Sequence, residues 1–182
     1  MSPLAAGVLF LASSFLCLTA QPRYTSDGQL TLPSDYREWV FLSSGLGMTY
    51  QPMAGHNDPA FTNVFVSPKS YRSFVATGTW PDKTMLVLEV RASASKGSIN
   101  KGGSYQGDLL GIEGEVKDTA KFPGNGWTFF AFGKSSTGQK LPQTEDCYAC
   151  HRDHAAVDNT FVQFYPVLLD IAKQKGTLKA GR

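Results

Sequence analysis

Cys147-Tyr148-Ala149-Cys150-His151 stands near the C-terminus of this 182-residue chain. Two cysteines three apart can form thioethers to the two vinyl groups of one porphyrin, and the adjacent histidine then lies under the iron. The motif reads as attachment of one haem c per chain, with Cys147 and Cys150 as thioether positions and His151 as axial iron ligand. Two rivals use the same residues. A redox dithiol needs no histidine here and usually opens a helix after a strand in a thioredoxin-like pattern. A zinc site from Cys147, Cys150, His151 and His154 would strain a tetrahedral shell, because Cys150 and His151 are adjacent.

The other cysteine is Cys17. It lies in an apolar, uncharged run from Leu4 to Leu18 that ends in Leu18-Thr19-Ala20, a pattern that predicts a signal peptide over 1–20, cleaved after Ala20. The bulky Phe15 and Leu16 argue against lipid attachment at Cys17, and the run is short for a membrane anchor. Removal leaves Cys147 and Cys150, too close together to staple much chain. The expected location is periplasmic or otherwise exported, which suits haem attachment outside the cytoplasm. Residues 21–182 suit a single domain. Scattered lysines and arginines and a formal charge of +2 leave no nucleic-acid footprint.

The pattern along the chain predicts an α+β fold, a mostly antiparallel β-sheet with a few short helices. Residues 21–33 read as an irregular leader. Ser34 can cap a short helix through Val40, and Gly45 to Pro59 reads as loop. Thr62 to Val66 is strand-like, and Ser67-Pro68 opens a helix that Gly78 ends. Thr84 to Arg91 alternates as a strand, with Leu86, Leu88 and Val90 on one face and Met85, Val87 and Glu89 on the other. Ala92 to Gly107 reads as a connection, where Lys101 to Ser104 lacks the spacing of a phosphate cradle. Further strands are expected at Asp108–Lys117 and Trp127–Phe132, and a terminal helix at Val167–Lys175. Small electron-transfer cytochromes carry the haem motif early in an all-helical fold, and helical-bundle cytochromes need four long helices. This chain has the late motif without those helices.

Candidates for a sixth iron ligand are Met48, Met53, Met85, His56 and His154. Met85 suits strand core, and His154 would share a helix side with His151. The balance favours a five-coordinate iron with an open distal side, hence ligand binding or catalysis over electron transfer alone.

The chain resembles the cytochrome P-460 family, which includes the beta-type cytochromes c-prime. The resemblance runs from about Leu30 to about Lys173. It is carried by Leu32-Pro33 with Tyr36 to Val40, Val64 to Pro68 with Ser70-Tyr71, and Gly111-Ile112-Glu113 with Val116-Lys117-Asp118. Gly126-Trp127, Leu141-Pro142, the haem motif and Phe164 to Leu168 complete it. The resemblance implies a mostly antiparallel β fold, usually a homodimer, with one five-coordinate haem per chain. P-460 members oxidise hydroxylamine, with a lysine cross-linked to the haem and a carboxylate that assists proton removal. The beta-type cytochromes c-prime bind nitric oxide and carbon monoxide in an apolar distal pocket and lack that activity.

The family carboxylate maps onto Glu113, whose role would be a base beside the distal ligand. Its alternatives are a solvent-facing strand glutamate or a partner of Lys117. The cross-linking lysine maps onto Leu88, which cannot attack a porphyrin edge, and Lys83 lies on the opposite strand face. The family's distal arginine has no match in this chain; an ungapped comparison puts Thr62 at its position. An apolar pocket is therefore expected near Leu86, Leu88 and Val90, with Phe61 or Phe65 contributing. The first expectation is an exported cytochrome binding a small diatomic ligand such as nitric oxide. The alternatives are hydroxylamine or nitric oxide oxidation resting on Glu113, and electron transfer to a redox partner protein.

Overall fold

A computed structural model describes residues 21–48 and 59–182. The expected signal peptide over 1–20, Cys17, Met53 and His56 lie outside the described residues. The eight strands among the described residues, all paired antiparallel, are β1 (Arg23–Tyr24), β2 (Leu30–Thr31), β3 (Val40–Leu46), β4 (Ala60–Val66), β5 (Met85–Ala94), β6 (Tyr105–Lys117), β7 (Trp127–Gly133) and β8 (Thr137–Lys140). They form one sheet in the order β1-β2-β8-β7-β6-β5-β4-β3. Among the described residues three α-helices accompany it: α1 (Pro68–Thr77), α2 (Asp146–His154) and α3 (Pro166–Lys175). This is the expected α+β architecture.

Alternation along β5 divides the molecule. Leu86 packs with Phe74 of α1 and with Leu168 and Ala172 of α3 in one buried cluster. Met85 and Val87, one residue either side, pack with Tyr36, Val116 and Phe130 in a second cluster on the reverse face. Because strand side chains alternate, one strand feeds two cores. Burial of each such side chain stabilises by roughly 1.5–3 kcal/mol.

Helix α1 starts and stops as the sequence predicts. Ser67 accepts from the Ser70 backbone N–H, Pro68 occupies the first turn, and Gly78 closes the helix at φ +78°. A Cβ at Gly78 would lie 2.5 Å from Lys175 Cβ, so the glycine also lets α1 approach the end of α3.

Several expectations are corrected. The leader is not wholly irregular: β1 and β2 form a small antiparallel pair, and β2 joins β8. The helix after Ser34 shrinks to one 3₁₀ turn, Tyr36–Glu38, without a side-chain cap, and Val40 already belongs to β3. Gly45 and Leu46 are strand rather than loop, and the connection between β5 and β6 spans only 95–104. A register shift in β3 between Phe41 and Ser43 sets Ser43 opposite Val64 and Gly45 opposite Thr62. Such a bulge re-aims every residue after it, and here it turns Ser43 and Gly45 toward the α2 side.

Candidate haem site

Helix α2 carries the motif. Cys147, Cys150 and His151 are spaced i, i+3, i+4, so all three share one helix side, and all three line one cleft of about 670 Å³. That volume lies within the usual range for cofactor sites. No disulfide joins the two cysteines to each other. Tyr148, between them, ties the helix to the sheet. Its hydroxyl bonds Thr128 Oγ1 at 2.7 Å and donates to the Leu141 carbonyl at 3.1 Å. Its ring meets Phe129 edge-on, with centroids 4.8 Å apart.

His151 is held by its neighbours. Its Nδ1 lies 2.6 Å from the Asn159 carbonyl oxygen and 3.3 Å from Glu115 Oε1. The rings of Phe129 and Phe161 flank it, at 4.5 and 4.4 Å between centroids. With Nδ1–H donating backward, Nε2 is the nitrogen free to ligate, the usual arrangement of a metal-binding histidine. Burial pushes the imidazole pKa down. The Glu115 carboxylate, the Asn159 carbonyl and Glu113 outweigh burial and hold it above the ordinary 6.5.

Strand register builds the opposite wall. Leu88 lies opposite Val64 on β4 and Glu113 on β6, and Glu113 lies opposite Ala131 on β7. One row further, Leu86 faces Glu115, which faces Phe129. The cleft is lined from this face by Ser43, Thr62, Val64, Leu86, Leu88, Glu113, Glu115 and Phe129, with Met48 at its β3 end. Gly45 makes room for Met48, because a Cβ there would lie 2.5 Å from the Met48 Sδ.

Leu88 and Glu113 thus both face the cleft, as a cross-strand pair. Glu113 is not a partner of Lys117, whose Nζ donates to the Trp80 carbonyl and pairs with Asp158. Among the described residues no group hydrogen-bonds the Glu113 carboxylate. Glu113 is exposed, yet the surface it exposes belongs to the cleft wall. Burial lifts its carboxyl above the ordinary value, with the His151 charge pulling the other way.

The expectation for Phe61 and Phe65 is overturned. They alternate with Thr62 and Val64, so they point to the reverse face, where Phe65 meets Tyr36 and Phe41. Val90 lies beyond the cleft lining. Met85 is buried in the reverse-face core, while Met48 and His154 line the cleft. Lys83 pairs with Asp118 and Asp82, away from the cleft. The sequence reading missed Asn159 and Tyr148. An asparagine eight residues after an axial histidine, and a tyrosine inside the motif, were the available signals.

The donor set fits a c-type haem better than its rivals. Burial raises the pKa of both thiols, and carboxylates add to it: Glu113, Glu145 and Asp146 at Cys147, Asp153 and Asp146 at Cys150. A redox dithiol needs the opposite, a thiol with lowered pKa. Among the described residues no group of three or more His, Cys, Asp or Glu could hold a metal ion, which removes the zinc reading. Two cysteines outside any disulfide and one oriented imidazole, all lining a single cleft, are the groups that covalent haem attachment uses.

Comparison with known proteins agrees with this chemistry. No curated protein matches the chain. The model of the family described as Cytochrome P460 matches residues 33–162, from the segment before the 3₁₀ turn to beyond His151. This chain belongs to the cytochrome P460 family, a family of c-type haem proteins.

Proposed function

We propose that the protein is an exported mono-haem cytochrome whose His151-ligated iron binds a small neutral ligand such as nitric oxide. The observation that carries this reading is Leu88. It faces the cleft from β5, flanked by Val64 and Leu86, at the position where the family resemblance expects a cross-linking lysine. Cys147 and Cys150 hold the haem by thioethers, and His151 supplies the axial nitrogen. When bound, the haem would supply an iron able to take up such a ligand. Leu86, Leu88 and Val64 exclude water and give no charge to a polar substrate. Thr62, which an ungapped comparison sets at the place of the family's arginine, lines the cleft and likewise offers no charge.

A second reading rests on Glu113. A carboxylate without a hydrogen-bond donor, held in a cleft with its pKa raised, suits proton removal from a hydroxylamine-like ligand. A redox partner protein would then take the electrons. The homodimer implied by the resemblance remains part of the proposal.

An absorption spectrum of the holoprotein tests both readings. A high-spin ferrous haem that shifts on adding nitric oxide supports ligand binding. A low-spin spectrum in both oxidation states sinks both readings and points to a sixth protein ligand, with Met48 the first to replace. Hydroxylamine turnover that Glu113→Gln abolishes, with nitric oxide binding retained, selects the second reading.

A further inference from the structure

The proximal side of His151 holds two competing acceptors. Nδ1 faces the neutral Asn159 carbonyl at 2.6 Å and the Glu115 carboxylate oxygen Oε1 at 3.3 Å. That same Oε1 accepts from Asn159 Nδ2 at 3.3 Å. Asn159 is itself held by Asn125, whose Nδ2 donates to Asn159 Oδ1 at 3.3 Å. Asn125 Oδ1 accepts from the Trp127 backbone N–H at 3.0 Å. The assembly is shielded: Glu115 is 8% and Asn159 4% exposed. The rings of Phe129 and Phe161 pack against the imidazole beside these acceptors.

One N–H therefore faces a neutral and a charged acceptor. A carbonyl fixes the tautomer and does little more. A carboxylate also draws the proton toward itself and makes Nε2 a stronger donor. Its negative charge, in a site shielded from water, favours the more positive oxidation state of a metal on the far side of the ring. The Asn159 amide donates to the same oxygen that faces Nδ1 and so competes with the imidazole N–H for it.

We propose that Glu115 is a positioning residue that, limited by the Asn159 side chain, strengthens His151 as a ligand and lowers the reduction potential of the haem iron. This rests on the c-type haem reading. It differs from the role considered for Glu113, which makes no hydrogen bond to His151.

The test is redox titration and ferrous resonance Raman of haem-loaded protein, with covalent haem counted first by mass. Glu115→Gln keeps the length and an acceptor oxygen but removes the charge. It is expected to shift the ferric–ferrous equilibrium about tenfold toward ferrous, which is 59 mV for a one-electron couple. The iron–histidine stretching band should move to lower frequency. Asn159→Ala leaves the backbone carbonyl in place and frees the carboxylate, so both readouts should move the other way. Loaded variants with unmoved potential and unmoved stretch overturn the proposal and leave the haem reading intact. Wild-type protein without covalent haem sinks both. If Glu115→Gln fails to fold, Asn159→Ala decides alone: a lower potential supports the proposal, and an unchanged or higher one overturns it.

Discussion

Glu89 and Glu113 sit on adjacent strands of one sheet and face opposite ways. Glu89 points from β5 to the reverse face, where Tyr36 donates to it and Arg91 and Arg37 pair with it. Burial pushes its carboxyl up, but the bonds from Tyr36, Arg91 and Arg37 outweigh burial and hold it below the ordinary value. Glu113 points from β6 into the cleft, without a donor among the described residues, and burial lifts its carboxyl. Two carboxylates with similar strand settings thus have opposite surroundings. One is satisfied by Tyr36, Arg91 and Arg37. The other lies without a donor on the cleft wall beside Cys147 to His151, where the second proposed reading would use it.

The cleft side breaks first and most completely when its cysteines change. Cys147→Ser with Cys150→Ser is expected to remove all covalent haem, read by mass spectrometry of the denatured chain. The reverse-face core should persist, because neither cysteine contributes to it. Haem that stays covalently attached in this double variant would falsify the attachment site.

Next comes the reverse face. Glu89→Gln leaves Arg91 and Arg37 without their counter-charge, at an expected cost of about 3 kcal/mol in denaturant unfolding. That is the low end for a broken buried pair, because Arg37 is half-exposed. The folded-state pKa of Glu89 is lowered, so its contribution is fully present above its ordinary value of 4.5. It is lost as pH falls below that value and through the lowered one. The variant should therefore lose most relative to wild type at neutral pH and converge with it in acid.

Tyr148→Phe tests how the cleft side is fastened to the sheet. It removes the bonds to Thr128 and the Leu141 carbonyl, at about 1 kcal/mol. Haem loading should persist in this variant, and equal stability in paired denaturant curves would refute the anchoring role.

The smallest effect belongs to Glu113→Gln, and its sign is reversed. The folded pKa of Glu113 is raised, so wild type loses stability as pH climbs through that value. Removing the charge should stabilise the protein slightly at neutral pH, by less than about 1 kcal/mol, and change nothing in acid. Destabilisation at neutral pH would show that Glu113 has a donor after all and end the contrast with Glu89.

Much of this was legible along the chain. The alternation of Thr84 to Arg91 sorted Leu88 from Glu89 onto opposite faces, because strand period alone decides that. Ser67, Pro68 and Gly78 marked both ends of α1 through local capping chemistry. The two-residue strands β1 and β2 were hidden, since a pair so short shows no alternation and forms only because a neighbouring edge accepts it. Phe61 and Phe65 were misplaced for a related reason. Aromatic residues beside a presumed pocket invite that reading, but their parity with Thr62 and Val64 sends them to the reverse face.

By itself the sequence determined what the chain can attach. Two thiols, a histidine and their spacing are covalent facts that no folding alters, and Leu88 removes a lysine from its position in the same way. Tertiary structure alone decided what surrounds the attachment. The β3 bulge turned Ser43 and Gly45 toward the cleft. Strand register set Glu113 opposite Leu88, and the loop after α2 brought Asn159 behind His151, beside Glu115. The strand relations depend on hydrogen-bond register between segments distant in the chain, and a one-residue slip would send Leu88, Glu113 or Glu115 to the other face; the place of Asn159 depends on how the loop after α2 packs against the sheet.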